Sequence, residues 1–364
     1  MTYFDAMQRV FELAKMGAGY VSPNPLVGAV ILKNGEIISE GYHQKFGEPH
    51  AEVVAIRNLK ETDLSGTTLV VNLEPCCHQG KTPPCTDLII SRNISRVVIG
   101  MQDPNPLIAG KGIKILRDAG IEVISGILED EAKWLNRFFI KHITKGIPYI
   151  VAKVAQSLDG KIATIGGDSK WISSEESRIM VHKMRSEIDA ILVGRNTVDT
   201  DNPELTVRAV EGRNPVRVIL DSNLSINLNA NVLKDCNDTK TIICTSRNVL
   251  NTDKAKILES SGIQIQAVNT NSDGKIDLQK CLKLLLDNYK IASILVEGGT
   301  EVLSSFLKAK LIDELHIFLA PIIIGKGKGT FDSININKVS DSYKLLLKSA
   351  ELSAQDLHLI YLQE

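Results

Sequence analysis

Two short stretches decide how the first half of the chain is interpreted: His50-Ala51-Glu52, and residues 74–85, Glu-Pro-Cys-Cys-His-Gln-Gly-Lys-Thr-Pro-Pro-Cys. The imidazole of His50 and the thiolates of Cys76 and Cys85 supply three zinc ligands and leave the fourth tetrahedral position to water, as in a catalytic zinc site. Glu52 follows the histidine by two residues at the start of a predicted helix, so it can reach that water without binding the metal. Because zinc lowers the pKa of bound water to roughly 7, this carboxylate can shuttle its proton.

The spacing of the two cysteines departs from the general pattern. Zinc-dependent nucleobase deaminases carry H-x-E followed by P-C-x-x-C, whereas here the eight residues 77–84 separate Cys76 from Cys85. The insert places His78 and Lys81 beside the predicted metal, where they can hold an anionic substrate group. The alternative interpretation of this insert is a Gly/Pro loop with a solvated lysine.

A structural zinc site is the alternative to a catalytic one. A closed site needs a fourth ligand, and Cys77 or His78 can provide it. Glu52, placed beside the ligand histidine, favours catalysis. Cys76 directly follows Pro75, as in the deaminase pattern, which favours Cys76 over Cys77 as the ligand.

Length and composition limit the remaining possibilities. At roughly 150 residues per domain, 364 residues predict two domains. With 42 basic and 43 acidic residues the formal net charge is −1, which gives no support to a nucleic-acid or membrane-surface partner. No apolar run approaches the roughly 18 residues of a membrane span. Six unevenly placed cysteines favour a cytoplasmic protein with one metal or thiol site, with Cys236, Cys244 and Cys281 as small buried residues.

Alternating apolar patterns predict an α/β organisation in both halves. Asn34-Gly35, between strands 27–33 and 36–41, is a strong hairpin signal. Gly146-Ile147-Pro148 stops the last helix of the first half and predicts a boundary between domains 1–146 and 147–364. The other predicted elements of the first half are helices 50–59, 112–119 and 129–145 and strands 68–73, 96–100 and 122–125.

The second half predicts a mostly parallel sheet covered by helices, with an antiparallel hairpin added at its end. The predicted strands are 149–155, 190–193, 216–220, 241–245, 263–268, 294–296 and 316–320, followed by the pair 344–348 and 356–362; two of the helices are 278–289 and 301–307.

Two strand-to-helix joints of the second half suit a phosphate, because glycines let backbone N–H groups approach it and a helix N-terminus adds a favourable dipole. They are residues 194–197, with Arg195, and Gly298-Gly299. Neither is a G-x-G-x-x-G fingerprint, and a tight connection is the alternative. Lys153 lies in an apolar strand, so it either faces a cleft, meets a carboxylate or points to solvent from an edge strand.

Several motifs together resemble the bifunctional riboflavin-biosynthesis deaminase/reductase family, whose long cysteine insert matches residues 77–84. The resemblance covers the whole chain and implies a cytidine-deaminase-like three-layer domain followed by a dihydrofolate-reductase-like domain. The motifs of the first half are residues 23–30 (PNPLVGAV), 41–43 (GYH), 50–52 (HAE) and 74–85 (EPCCHQGKTPPC).

The resemblance implies roles for individual residues. In the deaminase half, His50, Cys76 and Cys85 bind one zinc ion, and Glu52 is the catalytic proton shuttle. Asn24, His43, His78 and Lys81 contact the pyrimidine and phosphoribosyl groups of the substrate.

In the reductase half, the resemblance implies an NADPH site, a substrate site and polar catalytic groups. The NADPH site comprises Ala155, Trp171, Thr197, Asp201, Ser222, Gly299, Thr300, Glu301, Val302, Leu303, Ser304 and Ser305. The phosphorylated substrate is held by Ser169, Arg185, Leu205, Arg208 and Glu297, and the candidate catalytic groups are Lys153, Asp201 and Glu297.

The expected function is zinc-dependent deamination of a phosphoribosylamino-pyrimidine followed by NADPH-dependent reduction of its ribosyl arm, in a cytoplasmic homo-oligomer, dimer or tetramer. One rival is a deaminase of a nucleoside or of tRNA, although the near-neutral charge disfavours tRNA. The other rival is a non-catalytic, zinc-stabilised binding module, which should unfold when its metal is removed.

Overall fold

The computed structural model describes residues 1–78, 83–106, 108–236 and 238–364. The chain forms two compact units, Met1–Gly146 and Ile147–Glu364. None of the helices in these described ranges combines the length and the apolar character needed to cross a membrane.

The first unit is a five-stranded mixed sheet with the strand order β2-β1-β3-β4-β5. Strand β1 pairs antiparallel with β2 and β3, whereas β3, β4 and β5 run parallel. Its elements are α1 Tyr3–Lys15, β1 Gly28–Lys33, β2 Glu36–Tyr42, α2 Ala51–Arg57, β3 Thr68–Leu73, α3 Cys85–Ser91, β4 Arg96–Met101, α4 Lys111–Asp118, β5 Glu122–Ser125, α5 Glu129–Leu135 and α6 Arg137–Lys145.

Helices cover both faces of this sheet, and two glycines show how closely these helices approach it. A Cβ on Gly28 would lie 2.2 Å from the carbonyl oxygen of Val10 in α1, and a Cβ on Gly41 would lie 2.5 Å from the backbone nitrogen of Ala55 in α2. Gly28 is paired with Tyr42, the neighbour of Gly41, so the two glycines face opposite sides of the sheet. The result is a three-layer unit, as the family resemblance implies.

Local predictions in the first unit mostly agree with the structure. The predicted hairpin is confirmed, since Asn34 and Gly35 both have positive φ, 53° and 80°, as its two-residue turn requires. The prediction of one helix over residues 129–145 is wrong, because Asn136 ends α5 and starts α6. Its buried side chain accepts a hydrogen bond from the N–H of Leu26 and donates one to the carbonyl of Leu26, at 2.8 and 3.0 Å.

The second unit contains a nine-stranded sheet with the order β11-β10-β9-β8-β12-β6-β13-β16-β15. Its strands are β6 Tyr149–Ser157, β8 Ala190–Gly194, β9 Val216–Leu220, β10 Thr241–Ser246, β11 Gln264–Val268, β12 Ser293–Val296, β13 Glu314–Ala320, β15 Leu345–Ser353 and β16 Asp356–Gln363, while β7 Lys161–Thr164 and β14 Gly327–Gly329 form a separate pair. Its helices are α7 Glu175–Glu187, α8 Arg195–Asp201, α9 Asp253–Ser260, α10 Leu278–Tyr289 and α11 Thr300–Lys308.

The predicted sheet type is confirmed. The first seven strands in the sheet order, from β11 at the edge through β6 to β13, run parallel. The terminal pair β15 and β16 adds an antiparallel hairpin next to β13. Successive residues of β8 belong to two different apolar clusters: Ala190 and Leu192 to one, Ile191 and Val193 to the other. The sheet therefore has a hydrophobic core on each face.

The carboxyl ends of β8 and β12 pack closely against the first turn of α11. A Cβ on Gly194, at the end of β8, would lie 2.8 Å from a methyl group of Val302, and a Cβ on Gly298, after β12, would lie 2.6 Å from the Cβ of the same valine. Both positions therefore need glycine. This packing gathers the carboxyl ends of β8 and β12 at one edge of the sheet, together with the N-terminus of α11.

Candidate functional sites

Three elements of the first unit bring His50, Cys76 and Cys85 together. His50 is the N-cap residue of α2, Cys76 follows the end of β3, and Cys85 is the first residue of α3. The Nδ1 atom of His50 lies 3.3 Å from the Sγ atom of Cys85 and 3.6 Å from that of Cys76. In the part of the chain that the structure describes, this is the one group of three His, Cys, Asp or Glu side chains close enough to hold a metal, with ligand atoms within 4.8 Å of one another.

The chemistry of these donors fits zinc. One imidazole nitrogen and two thiol sulfurs are the soft and borderline ligands that zinc takes, and three protein ligands are the number found in catalytic sites. A hydrogen bond from the Cys85 thiol lowers the pKa of Cys76, so the pair readily holds a negative charge. The backbone N–H of Cys85 also donates to the Sγ atom of Cys76, at 3.3 Å.

Glu52 lies beside this trio on α2 and is buried, with 4 % of its surface exposed. Burial is the main cause that raises the pKa of its carboxyl group. A carboxyl group that is buried next to metal ligands and is protonated more easily than usual suits proton transfer.

The other residues around the cysteines are placed differently. Cys77 is half-buried and lies outside the trio, and burial raises the pKa of its thiol. His78 is exposed. Lys81, the predicted partner of an anionic substrate group, lies outside the described residues.

His43 and Asn24 form a fixed pair next to the trio. The Nδ1 atom of buried His43 lies 3.0 Å from the carbonyl oxygen of Pro49, so Nδ1 carries the proton and donates it. Its Nε2 atom is then the acceptor for the Nδ2 group of Asn24, at 3.1 Å. Burial lowers the pKa of His43, which agrees with a neutral ring. Both ring nitrogens are therefore engaged, and the ring orients Asn24.

Glu74 is a buried carboxylate that the sequence patterns do not single out as functional. It precedes Pro75 and accepts three hydrogen bonds, from the backbone N–H groups of Asp103, Gly110 and Ile113 at 3.1, 3.0 and 3.1 Å. These bonds fasten Asp103, Gly110 and the first turn of α4 to the end of β3, two residues before Cys76. The feature of the sequence that could have identified Glu74 is its position as a charged residue at the end of an apolar strand.

In the second unit, Glu297 is the centre of a buried ion cluster. Its Oε1 and Oε2 atoms accept two hydrogen bonds from Arg185, at 2.7 and 3.0 Å, and the Nζ atom of Lys153 lies 3.1 Å from Oε2. Burial by itself raises the pKa of Glu297, but the charges of Arg185 and Lys153 outweigh it and lower the pKa to about 2. The carboxylate is ionised at neutral pH and holds the lysine in place.

A cavity of about 1070 Å³ lies where the carboxyl ends of β8 and β12 meet the N-terminus of α11. Nine of the residues predicted for the NADPH and substrate sites line it: Ser169, Thr197, Asp201, Ser222, Gly299, Thr300, Glu301, Val302 and Ser305. The volume is at the upper end of the range for small-molecule and cofactor sites, and the N-termini of α8 and α11 supply backbone N–H groups suited to phosphates.

The remaining predicted residues lie elsewhere. Leu303 and Ser304 are buried on the other side of α11, with Leu303 in the hydrophobic core. Ala155 is half-buried on β6 and is not part of the cavity wall. Trp171 is 71 % exposed, and the guanidinium of Arg178 lies 4.6 Å from the centre of its ring.

Leu205 and Arg208 belong to one loop, residues 204–208. Leu205 is buried and has a positive φ of 57°. Arg208 is half exposed and donates to a carboxylate oxygen of Glu204, at 2.6 Å. The same loop accepts a hydrogen bond from Arg185 at the carbonyl of Thr206, at 3.2 Å, which connects it to the ion cluster.

Comparisons with known proteins agree with these two sites. Residues 2–101 match the family model of the cytidine and deoxycytidylate deaminase zinc-binding region, and residues 148–359 match that of the RibD C-terminal domain. The chain is 45% identical to riboflavin biosynthesis protein RibD of Aquifex aeolicus, over 98% of this chain and 97% of that protein, and 42% identical to RibD of Actinobacillus pleuropneumoniae, over 99% and 95%.

A solved structure gives the same result. The crystal structure of a diaminohydroxyphosphoribosylaminopyrimidine deaminase/5-amino-6-(5-phosphoribosylamino)uracil reductase from Thermotoga maritima is similar with a TM-score of 0.88 and 42% identity, and the match covers 100% of this chain and 99% of that one. The fold is thus cytidine-deaminase-like in the N-terminal unit and dihydrofolate-reductase-like in the C-terminal unit. The chain belongs to the RibD family, and it is a bifunctional enzyme of riboflavin biosynthesis with a zinc-binding deaminase domain and an NADPH-dependent reductase domain.

Proposed function

We propose that residues 1–146 deaminate 2,5-diamino-6-(5-phosphoribosylamino)pyrimidin-4-one and that residues 147–364 then reduce the ribosyl arm of the product to ribityl. The name of the Thermotoga maritima relative supports this substrate pair. The observation that carries the proposal is the His50, Cys76 and Cys85 trio with buried Glu52 beside it.

In the deaminase step, His50, Cys76 and Cys85 hold the metal. Zinc bound there supplies a water that is a nucleophile at neutral pH. With zinc bound, Glu52 would accept a proton from the attacking water and would deliver a proton to the ring amino group, which leaves as ammonia. Asn24, oriented by His43, binds the polar edge of the pyrimidine with the amide groups that His43 leaves free.

Zinc content measured together with ammonia release tests this step. We expect about one zinc per chain and ammonia released in proportion to the pyrimidine consumed. A metal-free chain that still releases ammonia, or a zinc-loaded chain that releases ammonia only from cytidine, would refute the deaminase proposal.

In the reductase step, the cavity beside α11 binds NADPH, which supplies a hydride for C1′ of the sugar. The hydride can add to C1′ only as the bond between C1′ and the ring oxygen breaks, and the departing ring oxygen requires a proton. Lys153 is the group that we assign to this proton, because Glu297 orients its Nζ atom at a distance of 3.1 Å. Asp201 lies in the cavity wall and contacts the cofactor, while Arg185 and Arg208 hold the phosphate end of the substrate.

Loss of NADPH absorbance with the deaminated intermediate tests the reductase step. We expect one NADPH to be oxidised for each molecule of intermediate consumed. We expect no oxidation with a control compound, the undeaminated pyrimidine that carries no ribose. An enzyme that binds NADPH but never oxidises it with this intermediate would leave the second unit without its proposed activity.

We also propose a cytoplasmic location and a homo-oligomer, a dimer or a tetramer. The six cysteines are all free thiols, which a reducing compartment preserves. Strand β15 is the last strand of its sheet and exposes Leu346, Leu347 and Leu352, a composition typical of an edge that is covered by another chain. Sedimentation analysis of the purified enzyme tests the assembly, and a monomer at micromolar concentration would contradict it.

A further inference from the structure

Helix α7 holds the loop of residues 204–208 at two backbone groups, one on either side of Val207. The Nη1 atom of Arg185 donates to the carbonyl oxygen of Thr206 at 3.2 Å, and the backbone N–H of Arg208 donates to the Nδ1 atom of His182, also at 3.2 Å. His182 and Arg185 are three residues apart on the helix and therefore lie on the same face. The side chain that binds Glu297 and the side chain that fixes Arg208 thus project from one surface.

This contact defines the state of the His182 ring. A backbone N–H can only donate, so Nδ1 of His182 must be unprotonated and the ring is neutral with its proton on Nε2. The charged groups that face it are Arg185 on its own helix, Arg208 on the loop and Glu297 after β12. Burial first, and then the two arginines, lower the pKa of His182, against the opposing effect of Glu297 and of the Thr206 carbonyl.

The helix itself does not depend on this histidine. The first turn of α7 is anchored by Asp356, whose carboxylate accepts hydrogen bonds from the N–H of Ser174 at 2.7 Å and the hydroxyl of Ser177 at 2.6 Å. The side chain of Arg208 is oriented by Glu204, but its backbone is fixed by His182. Removal of the imidazole therefore frees the backbone at Arg208 without removing the anchor of the helix.

We propose that His182 is a positioning residue of the reductase: as a neutral hydrogen-bond acceptor, it holds Arg208 where that side chain binds the phosphate of the substrate. The inference rests on the proposed function, in which Arg208 contacts the phosphate. Its consequence is that His182 controls the binding of the phosphorylated substrate, while hydride transfer itself does not depend on it.

The steady-state kinetics of two variants and one control test this role. His182→Ala removes the acceptor, and we expect the KM for the deaminated, phosphorylated intermediate to rise about tenfold, the effect of one lost hydrogen bond, with kcat and the KM for NADPH nearly unchanged. His182→Asn places an amide oxygen near the position of Nδ1, and we expect it to restore a KM close to that of the wild type. Lys183→Ala changes the exposed neighbouring position and should leave every constant unchanged.

The pH dependence separates this role from a purely structural one. In the wild type, protonation of His182 removes the acceptor, so the KM should rise as the pH falls below the ordinary histidine value of 6.5. His182→Asn has no such group, so the ratio of the two KM values should change with pH, while the titration of the substrate phosphate affects both enzymes equally.

The inference would be overturned by an unchanged KM in His182→Ala, by a His182→Asn variant as impaired as the alanine variant, or by a KM ratio independent of pH. A KM ratio that moves in the opposite direction would also overturn it, since it would mean that a protonated His182 binds the phosphate directly. If His182→Ala does not fold, the asparagine variant and the pH ratio still decide. A wild-type enzyme that does not oxidise NADPH with this intermediate would instead refute the proposed function.

Discussion

The two sites of this enzyme stabilise their buried charged groups in different ways. The deaminase trio of His50, Cys76 and Cys85 gathers one imidazole and two thiol groups whose donor atoms lie within 4.8 Å of one another, an arrangement suited to a cation. The reductase cluster supplies its own counter-charges, because the carboxylate of Glu297 is bound by both Arg185 and Lys153. The first site should therefore respond mainly to loss of its metal and the second to loss of one ionic partner.

Loss of a metal ligand is the largest effect that we expect. Cys85→Ser should abolish zinc binding and ammonia release, because a catalytic site with two protein ligands is incomplete. The matched control is Cys77→Ser, a neighbouring thiol outside the trio, which should keep both. Zinc analysis and an ammonia assay on the two variants decide the point, and a Cys77→Ser variant that loses its zinc would show that the ligands are assigned wrongly.

Loss of the proton shuttle should be almost as severe. Glu52→Gln keeps the size of the side chain but cannot carry a proton, so deamination should slow by about 10²–10⁴-fold. Zinc should remain bound, and NADPH oxidation with the supplied intermediate should be normal. Ammonia release at the wild-type rate would exclude Glu52 as the shuttle.

Loss of the central carboxylate should destabilise the reductase unit. Glu297→Gln leaves Arg185 and Lys153 without their partner, and breaking a buried pair costs about 3–5 kcal/mol. Thermal unfolding of the variant measures this cost, with Glu204→Gln at an exposed pair as the control for stability, expected to cost below about 1 kcal/mol.

The pH dependence of stability sharpens this comparison. The pKa of Glu297 is lowered from 4.5 to about 2, so its contribution is complete above pH 4.5 and is lost as the pH falls towards 2. Wild type should lose this part of its unfolding free energy between those values, and Glu297→Gln should not. Parallel acid-unfolding curves of the two proteins would show that the pKa of Glu297 is not lowered by Arg185 and Lys153.

The smallest effect should follow from the pair of His43 and Asn24. His43→Leu removes the acceptor that orients the amide, and we expect the deaminase KM to rise about tenfold or less. His43→Gln places an oxygen near the former Nε2 and should largely restore it. Equal kinetics for both variants would mean that Asn24 needs no orientation by residue 43.

The contrast between the sites also explains what sequence can predict. His50, Cys76 and Cys85 lie in two short motifs, so their type and spacing already indicate zinc. For Lys153 the sequence leaves a cleft, a carboxylate or solvent as alternatives, and the structure shows a carboxylate, that of Glu297. The identity of that partner depends on the pairing of β6 with β12, which no local pattern contains.

Other features of the structure depend entirely on tertiary contacts between residues that are distant in the sequence. The helix break at Asn136 follows from its bonds to Leu26, 110 residues away, and the local sequence there fits a continuous helix. The roles of Glu74 and His182 likewise rest on backbone N–H groups of distant loops. Propensity and periodicity therefore predict the elements, whereas the second layer of contacts around each site requires the structure.

The most direct test of the account is the coordination of the metal itself. X-ray absorption at the zinc edge of the purified enzyme, with anomalous diffraction to locate the ion, reads ligand type and number. We predict one zinc per chain, bound by one nitrogen from His50, two sulfurs from Cys76 and Cys85, and one oxygen from solvent. Four protein ligands, a third sulfur from Cys77, or no bound metal would contradict it.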